Sequence, residues 1–262
     1  MLKKLLKYDL QNVLPFIFIF HCLALVFALL TRIFLQFEDS LFLYIIGRVC
    51  AGTTYSMIFS IIINTLMRSW VRFKQNLYGD ESYITHTLPV TKHAIYLSKF
   101  LAAILTLFIS VFVVLISLVI AHYSTENLQL LKNFLFTASG VIDGFYAILI
   151  GLVVVLFLEF AVVLQCGFAG VILGFKMRSA KTGFSVLFGF VIYGVTQVIA
   201  FLLLYLAALF NRDLMQIFTA NSIISPAIIR TLLVYACGAY ALILAGGYLL
   251  NIKLFQKGVN VD

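Results

Sequence analysis

Few residues of this chain have the types and spacings that catalysis requires. The sequence has no G-x-x-x-x-G-K-[ST] phosphate-binding loop, no H-E-x-x-H zinc motif and no G-x-S-x-G nucleophile motif. Its four histidines are scattered over different regions, at His21, His86, His93 and His122. The sequence therefore predicts no metal site, no ATP hydrolysis by this chain and no other enzymatic activity in it.

The four cysteines give no sign of a disulfide or of a metal centre. All of them lie inside apolar runs, and none has C-x-x-C or zinc-type spacing; they are Cys22, Cys50, Cys166 and Cys237. A free thiol in such a run behaves as a small hydrophobic side chain. We therefore expect neither a disulfide nor a metal site at these cysteines.

Four polar residues inside the long apolar runs are the candidates for a site within a membrane. They are Arg32, Arg48, Glu159 and Gln197. At about 1.5 Å per helical residue, the first three fall in the outer third of a bilayer and Gln197 a little deeper. Charges at such depth are costly unless they are paired or face water, so the group could line an outward vestibule. The alternative is that the arginines extend to the headgroups and Glu159 is a structural counter-ion.

The elements that would position these residues are six apolar runs, each long enough to cross a hydrocarbon core of about 30 Å. The predicted spans are 15–36, 41–67, 94–121, 150–175, 184–210 and 227–252. The fourth run starts at residue 141 and exceeds what one crossing needs, so either the helix tilts or 141–150 is a separate external or re-entrant segment. Residues 211–226 could form a second re-entrant segment. The predicted fold class is an all-α membrane protein with six transmembrane helices.

Composition leaves no room for a water-soluble domain. Hydrophobic residues make up 63% of the chain and charged residues 11%, whereas soluble domains have about 25% charged residues. The longest segment between spans, 68–93, is shorter than ordinary domains. Residues 1–262 are therefore predicted to be a single transmembrane domain.

Basic residues follow the inside-positive rule of membrane proteins. They are concentrated before the first span, around the second and fourth gaps and after the last span: Lys3, Lys4, Lys7, Arg68, Arg72, Lys74, Lys92, Lys99, Lys176, Arg178, Lys181, Lys253 and Lys257. The alternate gaps have few charges of mixed sign. We therefore expect both termini in the cytoplasm, and we attribute the net charge of +8 to topology and not to nucleic-acid binding.

The first 14 residues have the pattern of an amphipathic helix. Leucines recur at helical spacing, while the lysines and Asp9 are assigned to the opposite, polar face. This pattern predicts an interfacial helix over 1–14, with its lysines at anionic headgroups and Pro15 marking the bend into the first span. An ordinary basic membrane anchor would have the same pattern.

The segment 68–93 differs from the other gaps in length and content. Gly79 is expected to end the preceding helix, Pro89 to force a turn that makes Leu88 extended, and Thr91 to cap the next helix. Aromatic, acidic and basic side chains are mixed there, which suits a protein contact. The composition fits a docking surface or a plain interfacial loop.

Small residues recur at four-residue spacing in several runs, including Gly170 and Gly174. Such spacing lets helices approach closely. We expect it to serve packing within the chain more than a dimer interface.

The chain resembles the membrane-spanning permeases of bacterial ABC transporters of the ABC-2 class, particularly the short six-span permeases of Gram-positive bacteria. The most specific residues are R-F-x-x-N-L-x-G-D-E-x-Y from Arg72 to Tyr83, T-L-P-V from Thr87 to Val90, and Ser98-Lys99. The K-K-L-L-K-Y-D run from Lys3 to Asp9 is similar to the family's opening. His86 departs from the family, which usually has an apolar residue there.

The resemblance implies a type V exporter-like fold in which 68–93 carries the coupling helix and the N-terminal amphipathic helix lies beside it. A separate ATPase subunit would then contact the coupling segment through residues that include Tyr78, Gly79, Asp80, Glu81, Tyr83, Thr87, Leu88, Pro89 and Lys92.

The resemblance also implies an assembly of two membrane domains, identical or different, with two ATPase subunits that hold ATP and Mg²⁺, in a bacterial plasma membrane. Such complexes export or flip amphipathic peptides, drugs or lipids, and this chain itself would hold no cofactor. Two alternatives to the exporter stay open from the sequence. The chain could be an ion-coupled secondary carrier, or a non-transporting subunit for antimicrobial-peptide sensing or immunity.

Overall fold

The computed structural model describes residues 2–37, 40–142, 144–218 and 225–257, and within these ranges all regular structure is helical. The elements are α1 (Leu2–Leu35), α2 (Leu41–Tyr78), α3 (Ser82–Thr87), α4 (Lys92–His122), α5 (Thr125–Val141), α6 (Phe145–Gly174), α7 (Lys181–Phe210), α8 (Arg212–Met215), a 3-10 turn (Gln216–Phe218) and α9 (Pro226–Gln256). Six of them, α1, α2, α4, α6, α7 and α9, are long and apolar enough to cross a membrane. The chain is a multi-pass helical membrane protein, as its hydropathy predicts.

The fourth long helix begins earlier than the predicted span. α6 is continuous from Phe145, so residues 145–150 belong to it and do not form a separate element. It is preceded by α5, a helix that the hydropathy pattern did not predict. Mean hydropathy located the apolar run, but it could not locate the break between Val141 and Phe145, because both sides of the break are apolar.

The expected boundary at Pro15 is also absent. α1 is a single helix from Leu2 to Leu35, with Pro15 in its interior. Residues 2–14 and the first span are therefore one element.

The second predicted re-entrant segment, 211–226, is described only in part. α8 and the 3-10 turn occupy 212–218, and α9 begins at Pro226. Ser225 caps α9 by accepting a hydrogen bond from the Ile228 amide at 3.4 Å. Residues 219–224 lie outside the described residues.

The chain divides into two compact units, Met1–Leu131 and Lys132–Asp262. In the first, α1, α2 and α4 pack against one another, and buried polar side chains join them. Ser110 of α4 lies 3.1 Å from His21 of α1 and 2.8 Å from Thr65 of α2. Hydrogen bonds between helices help to hold membrane bundles together, because lipid tails are as apolar as the helix surfaces.

In the second unit, α6, α7 and α9 pack against one another. Glycines allow α6 and α7 to approach closely: a Cβ atom on Gly170 would lie 2.5 Å from the Ser185 carbonyl oxygen, and one on Gly174 would lie 2.2 Å from Ser185 Oγ. The predicted close approach at these two glycines is confirmed, and it occurs within the chain.

Candidate functional site

The predicted coupling segment begins where α2 ends. Gly79 follows the last residue of α2 and donates its backbone N–H to the Gln75 carbonyl at 3.2 Å. A Cβ atom on this glycine would lie 2.9 Å from the same carbonyl oxygen. The close approach favours glycine at this helix end, as the sequence predicts.

The other end of the segment also follows the local rules. Leu88, before Pro89, is extended, with φ −63° and ψ 138°. Thr91 caps α4, and its side chain accepts a hydrogen bond from the Ala94 amide at 3.3 Å. The predictions for Leu88 and Thr91 are therefore confirmed.

Between these ends, α3 is fixed to α2 through one carboxylate. Glu81 accepts hydrogen bonds from Arg72 Nη1 and from Asn76 Nδ2, each at 2.7 Å. Thr85, one turn along α3, donates to Asn76 Oδ1 at 3.2 Å. Because the donors lie on α2 and the acceptor at the start of α3, these bonds set the position of the short helix.

The charge of Glu81 is stabilised where it stands. The hydrogen bond from the Arg72 guanidinium lowers the pKa of the Glu81 carboxyl below its ordinary value; partial burial opposes this, and the Asn76 amide and the positive charge of Lys99 add to it. The carboxyl is therefore ionised at neutral pH, and the Arg72–Glu81 ion pair is intact.

The opposite face of the segment is open and largely apolar. Tyr83 is 77% exposed, Ile84 66% and Leu88 39%. Asp80, Thr87 and Pro89 are exposed as well, whereas Tyr78, Gly79, Glu81 and Lys92 are half-buried. The predicted contact residues thus form two groups, an exposed face and a set that lies partly within the unit.

Three contributors to this segment are not among the predicted contact residues. Ile84 is as prominent on the exposed face as Tyr83, while Asn76 and Thr85 hold the inner face. Asn76 and Thr85 are nine residues apart on different helices, so helical periodicity could not connect them. Ile84 could have been found, because it directly follows Tyr83 in a run otherwise composed of polar residues.

Asp9 corrects the assignment of the N-terminal segment. The sequence pattern predicts Asp9 on the polar face with the lysines. In the structure, Asp9 is buried and lies on the same face of α1 as the buried Val13 and Ile17. Its carboxylate forms an ion pair with Lys99 and accepts a hydrogen bond from Ser98 Oγ at 2.5 Å. Lys99, counted above among the basic residues near the second gap, is itself buried. A buried charge pair therefore joins α1 to the start of α4.

The four polar candidates inside the long helices have different partners. In the first unit, the Arg32 guanidinium lies 4.7 Å from the centre of the Tyr123 ring. Arg48 donates from Nη2 to the Tyr44 hydroxyl at 2.6 Å. Each arginine is thus stabilised by an aromatic side chain.

In the second unit, Glu159 and Gln197 are brought together. Glu159 Oε1 accepts a hydrogen bond from Gln197 Nε2 at 2.8 Å and another from the Tyr193 hydroxyl at 2.7 Å. The Tyr240 hydroxyl lies 3.5 Å from Gln197 Oε1. We call these four residues of α6, α7 and α9 the Glu159 cluster. The sequence pattern did not indicate its two tyrosines, because an aromatic residue in an apolar run is normally taken for a residue of the hydrophobic core.

The described residues include no group of three or more His, Cys, Asp or Glu side chains that could hold a metal ion. Comparison of the chain with protein-family models, with curated proteins and with solved structures finds no match.

Proposed function

We propose that this chain is the membrane-spanning permease subunit of an ATP-driven exporter, of the ABC-2 class that its sequence resembles. A separate ATPase subunit would bind the exposed face of α3, defined by Tyr83 and Ile84 of the helix and by Leu88, which directly follows it. The observation that carries the proposal is a short helix with an apolar outer face and an inner face fixed to α2 by the Glu81 carboxylate.

A helix that transmits movement must be both accessible and firmly attached. The exposed side chains of α3 supply a contact surface of the aromatic and aliphatic kind that is enriched at interface centres. The ion pair to Arg72 and the hydrogen bonds to Asn76 supply the attachment. A displacement of α3 would thus move α2.

The distribution of basic residues supports a cytoplasmic position for this segment, where an ATPase and its nucleotide would be found. Arg68, Arg72 and Lys74 precede α3, and Lys92 follows it. From this pattern and the inside-positive rule we infer that 68–93 and both termini lie in the cytoplasm of a bacterial cell. ATP and Mg²⁺ would be bound by the partner, and a second permease chain, identical or similar, would complete the pathway for an amphipathic substrate.

Affinity purification in mild detergent tests the contact directly. The tagged chain should recover an ATPase subunit from its native membrane, identified by mass spectrometry. The double variant Tyr83→Ser and Ile84→Ser should reduce this recovery about tenfold or more, since side chains at an interface centre contribute about 2 kcal/mol or more.

Phe136→Ser provides a matched control, because Phe136 of α5 is 81% exposed but lies in a gap predicted to be external. It should leave the recovered ATPase unchanged. Equal recovery with wild type and the α3 double variant, or recovery of no ATPase with wild type, would overturn the proposal.

A further inference from the structure

Glu159 is the single acidic residue within the six predicted spans, the fourth of which is 150–175. It lies near the midpoint of α6, and its partners Gln197 and Tyr240 lie near the midpoints of α7 and α9. A helix of 30 residues is about 45 Å long, whereas the hydrocarbon core is about 30 Å thick. The midpoints of such helices therefore lie within the hydrocarbon layer, where a carboxylate needs compensation.

The compensation present in the second unit is incomplete. Glu159 Oε1 accepts hydrogen bonds from the Tyr193 hydroxyl and from the Gln197 side-chain amide. Oε2 is shielded from solvent and has no hydrogen-bond partner among the described residues. None of the described Lys, Arg or His side chains forms an ion pair with this carboxylate.

The cluster is not sealed inside the unit. Glu159, Tyr193, Gln197 and Tyr240 are all half-buried, so part of each side chain lies at the surface of the packed helices. Half-exposed polar side chains at membrane depth are tolerated where they face water, protein or a polar ligand. This position suits recognition of a ligand better than a purely structural role.

The composition of the cluster distinguishes between classes of cation. A dehydrated Ca²⁺ ion takes six to eight oxygen ligands and Mg²⁺ requires an octahedron, and one carboxylate with neighbouring neutral side chains does not supply them. An organic ammonium group needs fewer direct ligands. It is stabilised by one carboxylate and by the faces of aromatic rings, and the cluster contains two tyrosines, Tyr193 and Tyr240, together with Glu159.

We propose that the Glu159 cluster binds the ammonium group of a cationic amphiphile, with the carboxylate of Glu159 as the counter-charge. The carboxylate would act through its charge, since a quaternary ammonium group has no N–H to donate. That such an amphiphile is the exported cargo rests on the proposed function; its binding to this chain does not.

Photo-crosslinking of the full chain in lipid nanodiscs, without any ATPase, tests the binding. The probe is a benzophenone joined to a quaternary ammonium group, and its control is the same molecule with a neutral ether in place of the charge. The charged probe should label peptides of α6, α7 or α9 around the cluster. Glu159→Gln should reduce this labelling about tenfold or more, because it removes the counter-charge of the bound ammonium group.

Two variants and one competition complete the experiment. Glu159→Asp retains the charge and should retain most of the labelling, and Arg48→Gln in the first unit should leave it unchanged. On the wild-type chain, dodecyltrimethylammonium should suppress labelling and dodecanol should not, so the test holds even if Glu159→Gln fails to fold.

Equal labelling of wild type and Glu159→Gln, equal labelling by the charged and neutral probes, or equal competition by both amphiphiles would overturn the assignment. Loss of the ATPase contact in the purification experiment would instead contradict the proposed function and leave this binding intact. The two proposals are therefore tested separately.

Discussion

Asp9 illustrates how far one residue can depart from its sequence pattern. In a run of lysines and leucines it reads as part of a polar face, yet it pairs with Lys99, ninety positions away. Because the partner is so distant in sequence, helical spacing within 1–14 contains no information about it. Only the packing of α1 on α4 makes the pair visible.

The first residue-scale prediction concerns this buried pair. Asp9→Asn or Lys99→Met alone should lower the free energy of unfolding by about 3–5 kcal/mol, because each leaves an uncompensated buried charge. The double variant should lose less than the sum of the two single losses. Thermal or denaturant unfolding in detergent, analysed as a double-mutant cycle, measures this coupling, and additive losses would contradict the ion pair.

The second residue-scale prediction concerns the pH dependence of the α3 attachment. Glu81 is 45% exposed at its side chain, so its replacement by Gln should cost no more than about 1 kcal/mol at neutral pH. Since the pKa of Glu81 is lowered in the folded chain, this contribution is present above the unfolded pKa of about 4.3. It is lost as the pH falls through the lower folded pKa.

Unfolding of wild type and Glu81→Gln across a pH series therefore should show a constant difference at pH 5–8 that disappears in stronger acid. Asp80→Asn is a matched control, because Asp80 is exposed next to Glu81. It should have an effect within about 0.5 kcal/mol, as is usual for surface substitutions. A difference that persists in acid would show that Glu81 acts through something other than its charge.

At the scale of elements, sequence was most informative where local physics decides the outcome. Gly79, Leu88 and Thr91 behave as their types predict because a helix end, a residue before proline and a helix cap depend on immediate neighbours. The separation of α5 from α6 and the continuity of α1 through Pro15 could not be predicted in the same way. In α1, the packing of the helix on α2 and α4 outweighs the local preference of Pro15 for a helix start.

The close approach of α6 and α7 gives a prediction at this scale. Gly170→Val should destabilise the chain by about 1–3 kcal/mol, since its first side-chain atom would overlap the backbone of Ser185 and Gly189. Gly194→Val, on α7 with no neighbour within 4 Å of its Cβ position, should have little effect. Thermal stability in one detergent compares the two, and equal losses would indicate that helix propensity and not contact is responsible.

At the scale of the whole molecule, hydropathy identified all six long helices, because burial in lipid demands continuous apolar helices whatever their packing. It could not assign the polar partners of Glu159, since contacts among α6, α7 and α9 depend on helix rotation. Arg32 and Arg48 likewise have aromatic partners, Tyr123 and Tyr44, that charge counting does not reveal.

The orientation of the whole chain is tested by cysteine accessibility. In a background with its four cysteines replaced, Tyr83→Cys should react with a membrane-impermeant maleimide only after the cells are permeabilised. Leu130→Cys, on α5 and 65% exposed, should react in intact cells, because the charge pattern places its gap outside. The opposite pattern would contradict a cytoplasmic α3 and, with it, the proposed ATPase contact.

The continuity of α1 has a mechanical consequence. Proline has no amide hydrogen, so Pro15 leaves the Gln11 carbonyl without its usual donor from within the helix. Bending stiffness should therefore be lowest at that turn, between the end anchored at Asp9 and the lipid-embedded end. If the anchored end tilts, the helix should bend at Pro15, so that only part of the tilt angle is transmitted to Leu35. Pro15 is therefore the natural pivot of the helix.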